Sequence, residues 1–454
     1  MKESFSNSYS MDLYSIGHIY FSHDNIESAK RQNRNIDNLF ASSYLLGGFN
    51  FLFKFVYFLF KGNKKFPRKE QGSTKVLFYG ISRNNRLTLE PIIKEMGDED
   101  IVSFVHQETF PSWKLYWHAL PHLFDLIREI KKSDEKKKQV FKLFFPKFWR
   151  MYGCPPVINE MLDLYNPEVV VMANDHQEFN RCLLMICKER DIKTIYVQHA
   201  SVGTKFPSLQ FTYSLLDGMD AYLKYKTIGN MQGNVYLLGG VRFDVVKQEY
   251  FEQPKENVVG LAINLVDSEE KVKETCRDLQ AMGKANGDRM KLMFRPHPQM
   301  QEGAWRTWCE ENGVIFSSPK EESSFEFIGK SSFVIANQCS IHLDTAMCHK
   351  ASVIYNMSNY LGEDVYLFKK NGLSQEANDA NELLKIIENP KQLVINDKAV
   401  RYYNCSYGTP YEGNVAGIIC DLIYSILDDT AEDFNKKHHF EMIEEGTGYR
   451  AYRM

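Results

Sequence analysis

The sequence predicts an α/β protein: two doubly wound, Rossmann-like domains facing a cleft, with an N-terminal apolar and basic segment ahead of them. Three observations predict this. Short continuous apolar runs alternate with stretches of helical periodicity, the pattern of parallel strands covered on both faces. These runs form two series, separated by the polar, proline-containing stretch Val245–Asn257. At 454 residues the chain has the length of about two or three domains.

Composition excludes several classes. With 44% apolar, 13% aromatic and 25% charged residues, the chain can bury large cores and is not disordered. Lys and Arg number 55 against 58 Asp and Glu, a net charge of −3. A dedicated nucleic-acid binder would carry a strong basic excess, so no nucleic-acid partner is expected. The nine cysteines are scattered, with no CxxC and no repeated spacing. Neither a zinc site nor a disulfide framework is expected, and reduced thiols in a cytoplasmic protein are the simplest reading. The polar first 30 residues lack the pattern of a signal peptide.

Residues 1–70 read as an N-terminal region that ends in YLLGGFNFLFKFVYFLF, Tyr44 to Phe60, followed by Lys61, Lys64, Lys65, Arg68 and Lys69. The run is at the short limit for a spanning helix and contains Gly47, Gly48, Asn50 and Lys54. Three readings are open: a helix packed on the body of the protein, a helix lying in the interface of an anionic leaflet, and a spanning helix. A first domain is expected over 71–245. KVLFYGI, EVVVMAND, TIYVQHA, AYLKY and NVYLLGG are its apolar runs. A second domain is expected over 257–430. There NVVGLAINL, RMKLMFRPHP, GVIFSS, SFVIANQCS and ASVIYNM are strands, and the helix after the first opens at Ser268. Residues 431–454 are expected to be a tail.

In such sheets ligands sit beyond the carboxyl ends of the strands, so residues just after the apolar runs are the site candidates. In RPHP two prolines hold the backbone extended around His297 and project Arg295 and His297 off the sheet, a pair suited to a phosphate. In ANQCSIHLDTA, Asn337 ends a strand and Ser340 is placed to cap a helix whose first turn holds His342 and Asp344. The expectation is an anion site there. His199 follows the run TIYVQ and is a candidate general base. Asp175 follows EVVVMAN and is read as orienting His199, as being the base itself, or as a helix cap. There is no GxGxxG, no P-loop and no DxD-like pair at a strand end, so neither a dinucleotide fingerprint nor a metal-dependent donor site is expected. The stretch Lys131 to Arg150 mixes Lys with Phe and Trp. It reads as a solvated helix face or, more sharply, as a contact for a membrane surface or an anionic acceptor.

A strand ending in QH and a small residue, then RPHP, then a serine-containing loop before a helix with Asp, resembles the GT-B-fold transferases of bacterial surface-polysaccharide synthesis. Two branches are similar: the CDP-glycerol glycerophosphotransferases, and the HP-motif sialyl-, polysialyl- and Kdo-transferases. The resemblance runs from about Thr74 to Leu373. It implies that Arg295, His297 and Ser340 hold the donor phosphates and that His199 matches the first-domain histidine thought to act as base. The chain departs from the glycerophosphotransferase pattern at Ala200, where glycine is usual, and at NQCS, where a double serine is usual.

The expected activity is therefore metal-independent transfer from a cytidine-activated donor to a saccharide or lipid-linked acceptor. The expected catalytic residues are His199, Asp175 and His297, with Arg295, His297, Asn337, Ser340, His342 and Asp344 around the donor. No cofactor is expected beyond the donor, and the protein is expected in the cytoplasm, peripheral on the membrane's inner face. Alternatives are a UDP-sugar epimerase or UDP-sugar transferase of the same fold, and a non-catalytic assembly scaffold.

Overall fold

The computed structural model describes residues 12–22, 39–61, 64–67, 74–97, 101–203, 205–285, 290–360, 364 and 366–454. The chain divides into two compact units. Unit 1 holds 1–216, 221–237 and 416–454; unit 2 holds 217–220 and 238–415.

The N-terminal part of unit 1 contains the helices α1 (Leu13–Ile16), α2 (His18–Phe21) and α3 (Tyr44–Phe60). Then come β1 (Val76–Gly80), α4 (Arg83–Met96) and β2 (Val102–His106). Five helices follow: α5 (Ser112–Ala119), α6 (Leu123–Lys132), α7 (Glu135–Leu143), α8 (Phe145–Met151) and α9 (Cys154–Tyr165). The sheet resumes with β3 (Val169–Met172), α10 (Glu178–Glu189), β4 (Lys193–Val197), β5 (Tyr213–Leu216), α11 (Met219–Ile228) and β6 (Gly233–Leu237). Strands β1 and β3 are buried along their whole length, as strands covered by helices on both faces must be.

Unit 2 contains β7 (Asn257–Ala262), α12 (Glu269–Ala285), β8 (Met290–Arg295), α13 (Glu302–Glu311), β9 (Ile315–Phe316), α14 (Ser324–Lys330) and β10 (Phe333–Ala336). It continues through α15 (Ile341–Met347), β11 (Ser352–Tyr355), β12 (Gln375–Ala377), α16 (Ala380–Glu388) and α17 (Asp397–Tyr403). Its six-stranded sheet, in the order β12-β11-β10-β7-β8-β9, is parallel throughout. Val259, Leu261, Leu292, Phe294, Phe333, Ile335 and Val353 of its strands pack with Val272, Cys276 and Leu279 of α12 into one core.

The chain then returns to unit 1 through α18 (Val415–Leu427), α19 (Ala431–Lys437), β13 (Glu441–Gly446) and β14 (Tyr449–Arg453). Cys420 Sγ and Tyr424 OH of α18 donate to the carbonyls of Ile92 and Met96 in α4, and β14 pairs in parallel with β6. Where the sequence suggests a tail over 431–454, the structure has a helix and a hairpin that complete the unit 1 sheet. Val245–Asn257, expected as a linker, belongs to unit 2 and carries a short 3-10 turn over Gln248–Tyr250. AYLKY lies within α11 instead of forming a strand; the strands missed by sequence reading are β2, β5, β12, β13 and β14.

The two-sheet α/β class expected from the sequence is what the structure shows. Unit 1 has strand order β13-β14-β6-β5-β4-β3-β1-β2, antiparallel only between β13 and β14.

Helix α3 is held by one stripe. Ser43 Oγ accepts from the Leu46 N–H at 3.1 Å and caps it. Gly47, Asn50 and Phe51 are buried, and Phe51 stacks on Trp149 of α8 at 3.9 Å between ring centroids. Gly48, Lys54, Phe55 and Phe58 are half-buried, and the rest of the helix is exposed, including Leu45, Phe49, Phe53 and Phe60. Among the described residues no helix is long and apolar enough to cross a membrane. Arg68 and Lys69 of the expected basic tail lie outside the described residues.

Candidate functional site

In unit 1 the order β2-β1-β3-β4 reverses between β1 and β3. The loops at such a switch point diverge and leave a crevice at the carboxyl ends of the strands. The first turn of α4, which follows β1, reaches the loop after β3 through Asn85 Nδ2, which donates to the Ala173 carbonyl at 2.9 Å. Asn174 Oδ1 then accepts the backbone N–H groups of His176 and Gln177 at 3.1 and 2.8 Å, closing a turn ahead of α10.

That turn drives Asp175 inward, where it is 1% exposed. Its Oδ1 accepts from His176 Nδ1 at 2.9 Å, and its Oδ2 from the Tyr225 hydroxyl at 2.6 Å. Burial and the Asp175 charge hold the Tyr225 pKa well above its ordinary value, so the phenol keeps its proton and its bond. With Asp175 accepting there, His176 carries its proton on Nδ1, and its Nε2 lone pair meets Asn174 Nδ2 in a long contact of 3.5 Å. His199, two residues beyond β4, stacks its ring on that of His176, 6.4 Å between centroids at 27°. The structure thus brings Asp175 and His199 to one place but does not bond them. Asp175 is neither an accessible base nor the partner of His199; both its oxygens are committed, one to His176. His176 is the residue that sequence reading passed over, although the adjacent Asp-His pair at a strand end was its signal.

Two further groups belong to this edge. Arg181 of α10 is 8% exposed, and its Nε and one terminal nitrogen have no hydrogen-bond partner. Burial lowers its pKa against the opposing pull of Asp175. His18 of α2 is held below the ordinary histidine range by burial and by Arg181. The N-terminal helices reach this edge because the Tyr20 hydroxyl donates to Glu178 of α10 at 2.9 Å, and Glu178 also pairs with Arg150.

In unit 2 the order β9-β8-β7-β10-β11-β12 places the switch point between β7 and β10. A polar network ties the loops there. Asn337 Nδ2 donates to Asp267 Oδ1 at 2.6 Å and to Asn356 Oδ1 at 3.3 Å. Asp267 Oδ2 accepts from the Asn264 N–H at 2.6 Å, and Asn264 Nδ2 donates to the Gln338 carbonyl at 3.3 Å. Asn337 is therefore a brace between the loops that follow β7, β10 and β11.

His297, after β8, is half-buried, and burial lowers its pKa. Its Nδ1 accepts from the Gln299 N–H at 3.2 Å, which leaves the proton of the neutral ring on Nε2, facing away from that turn. Ser340 is exposed and makes no capping bond to α15, so its hydroxyl is not spent on the helix.

The remaining candidates are turned inward. Arg295 is 6% exposed and donates to Ser317 Oγ at 2.8 Å and to the Glu322 carbonyl at 2.9 Å. Its guanidinium anchors the segment after β9; it is not presented at the sheet edge as RPHP suggested. His342 is fully buried: Nε2 donates to the Asn337 carbonyl at 3.1 Å, and Nδ1 accepts from Ser352 Oγ at 3.0 Å. Burial pushes its pKa down to about 4, so it is a neutral strut between β10 and β11, not a donor-binding group. Asp344 pairs with Arg242 at 3.1 Å inside the unit and faces no open loop. Among the described residues no three His, Cys, Asp or Glu side chains come together as a metal site.

No protein family and no curated protein matches the chain. Solved structures similar to it include UDP-GlcNAc 2-epimerase from Methanocaldococcus jannaschii, at 12% identity and a TM-score of 0.49, covering 77% of this chain and 100% of that one. The S. aureus MnaA–UDP co-structure has 10% identity and a TM-score of 0.46, over 78% and 97% of the two chains. The wall teichoic acid polymerase TagF has 12% identity and a TM-score of 0.42, over 87% and 98%. At these scores the likeness carries no argument about substrate or mechanism.

Proposed function

We propose that this chain is a metal-independent transferase of bacterial surface-polymer synthesis, moving a group from a cytidine-activated donor to the hydroxyl of a saccharide or lipid-linked acceptor. The observation that supports it most is the Asp175–His176–His199 group at the switch point of unit 1. A buried carboxylate that fixes the proton of an imidazole on one nitrogen leaves the lone pair on the other, here in a long 3.5 Å contact with Asn174 Nδ2, and this is the arrangement a general base needs. His176 or its stacking partner His199 takes the acceptor proton while the acceptor oxygen forms the new bond. The donor bond breaks with its electron pair leaving on the nucleotide phosphate.

Unit 2 holds the donor. The Nε2–H of His297, its ring held by the Gln299 N–H, and the Ser340 hydroxyl, on the loop tied by the Asn264–Asp267–Asn337 brace, donate to the phosphate as charge grows on it. The exposed apolar side chains of α3, with lysines nearby, keep the enzyme against an anionic membrane surface on the cytoplasmic side.

The test is thermal stabilisation by CMP, CDP, UMP and UDP with EDTA present. A ligand at about 100 times its Kd stabilises the fold by roughly 2.7 kcal/mol. A shift with cytidine nucleotides that His297→Ala abolishes is the expected outcome. A shift with UDP alone would replace the cytidine donor by a UDP-sugar and bring an epimerase forward; no shift with any nucleotide would leave a scaffold.

A further inference from the structure

We propose that unit 1 carries a binding groove for one hydrocarbon chain of an anionic phospholipid. The groove lies between α3, α6 and α8 and encloses about 600 Å³. Leu45, Phe49 and Leu52 form one wall, Leu123 and Ile127 the other, and Trp149 the floor. Among its lining residues only Lys131 is charged. An apolar groove of this size on a water-exposed face leaves unfavourable surface uncovered unless something apolar fills it.

Charge identifies the occupant. Lys131 and Lys132 end α6 at the groove, and Lys136 follows on α7; all three are exposed. The nearby acids Asp134 and Glu135 are taken up by Lys137 and Lys138. An excess of cations therefore borders an apolar slot, which matches an aliphatic chain ending in a phosphate. Leu45, Phe49 and Leu52 are themselves exposed, so the slot opens on the apolar side of α3 where a bilayer would supply that chain.

Gly48 marks the geometry. It lines the groove, and a Cβ added there would meet nothing within 4 Å. Its neighbour Gly47 differs, because a Cβ there would press on Phe145 at 3.0 Å. One glycine lets α3 approach α8, and the other leaves the groove open. The proposal rests on the membrane-contact part of the reading above and is independent of the donor.

The experiment is calorimetric titration of the full chain with monoalkyl phosphates of increasing length, each below its micelle concentration. Each methylene that enters the groove should raise affinity by up to about fourfold, until the groove is full and affinity levels off. Gly48→Leu fills the slot without a backbone clash and favours the helix. It should weaken the longest ligand at least tenfold with a melting temperature no lower than the parent's. Lys131→Glu should weaken alkyl phosphates about fivefold or more and leave the matching alkyl alcohol unchanged.

Affinity independent of chain length, or wild-type binding by Gly48→Leu, would overturn the proposal. So would a concentration-dependent dimer that Gly48→Leu abolishes, which would assign the groove to a second copy. The nucleotide-induced thermal shift, measured on the same variants, separates this failure from failure of the transferase reading.

Discussion

Asp217, the residue after β5, is 5% exposed, and burial raises its pKa to about 7. Arg242 pulls the other way, but its guanidinium is paired with Asp344, and Asp220 adds a like charge. The folded chain therefore holds the Asp217 proton over a range where the unfolded chain, with a pKa near 3.9, has released it. A folded-state pKa raised above the unfolded one gives stability that is fully present below pH 4 and lost as pH rises through 7. Worked from those two values, about 2.5 kcal/mol of stability disappears between pH 5 and pH 8. Asp217→Asn keeps the size and removes the titration. Its stability relative to the parent, from urea unfolding at the two pH values, should improve by about 2.5 kcal/mol on going from pH 5 to pH 8. Parallel stability profiles for parent and variant would refute the reasoning, because they would mean that Asp217 is ionised in the folded chain well below neutrality.

Three other outcomes follow from the site geometry and the proposed function. Replacing the base, His176→Ala or His199→Ala, should lower transfer by about 10²–10⁴ and leave the nucleotide-induced thermal shift unchanged. Asp175→Asn should match the His176 loss and not that of His199, since Asp175 is bonded to His176 alone of the two; initial rates of the three variants decide it. His342→Ala should cost about 2–4 kcal/mol of unfolding free energy, because it leaves a cavity and takes the imidazole donor away from the Asn337 carbonyl, yet should leave the nucleotide response intact. A variant that melts normally but no longer responds to nucleotide would restore His342 to the donor site.

The strands that sequence reading found share one property: they are continuous apolar runs. VVVM and FVIA can only be buried on both faces, and a parallel sheet is the structure that buries them so. The ones it missed are short or polar. YSLL carries a tyrosine and a serine, and EMIEEG and YRAYR become strands only because β6 offers a free edge to which the chain returns from unit 2. Nothing local to those residues encodes that pairing. AYLKY reads equally as strand or helix by its pattern, and α11 takes it because Tyr222 and Tyr225 are buried at helical spacing, with Leu223 exposed between them.

Among the site residues, position was legible and direction was not. Arg295 is the last residue of β8, and the other candidates follow strand ends. Whether Arg295 or His342 points out or in depends on Ser317, Glu322 and Ser352, partners distant in sequence.

The two switch points differ in their chemistry, and the difference is informative about division of labour. Unit 1 gathers ionisable groups: a buried carboxylate, two stacked imidazoles and an under-bonded guanidinium. Unit 2 offers amides and a hydroxyl tied around the Asp267 carboxyl group, with a histidine whose proton is fixed on Nε2, while its arginine is withdrawn into structure. Proton transfer needs groups that change charge, and the first set is of that kind. Stabilising a phosphate as it gains charge needs dipoles already oriented and unable to relax, because reorganisation would cancel the gain. The Asp267–Asn337–Asn356 brace supplies that rigidity by tying three loops to one another, so that a ligand held there would meet donors in a fixed arrangement. The withdrawal of Arg295 fits the same logic. A long, solvated cation at the sheet edge would bind ground state and transition state alike, whereas the short, braced donors favour the state in which charge has developed.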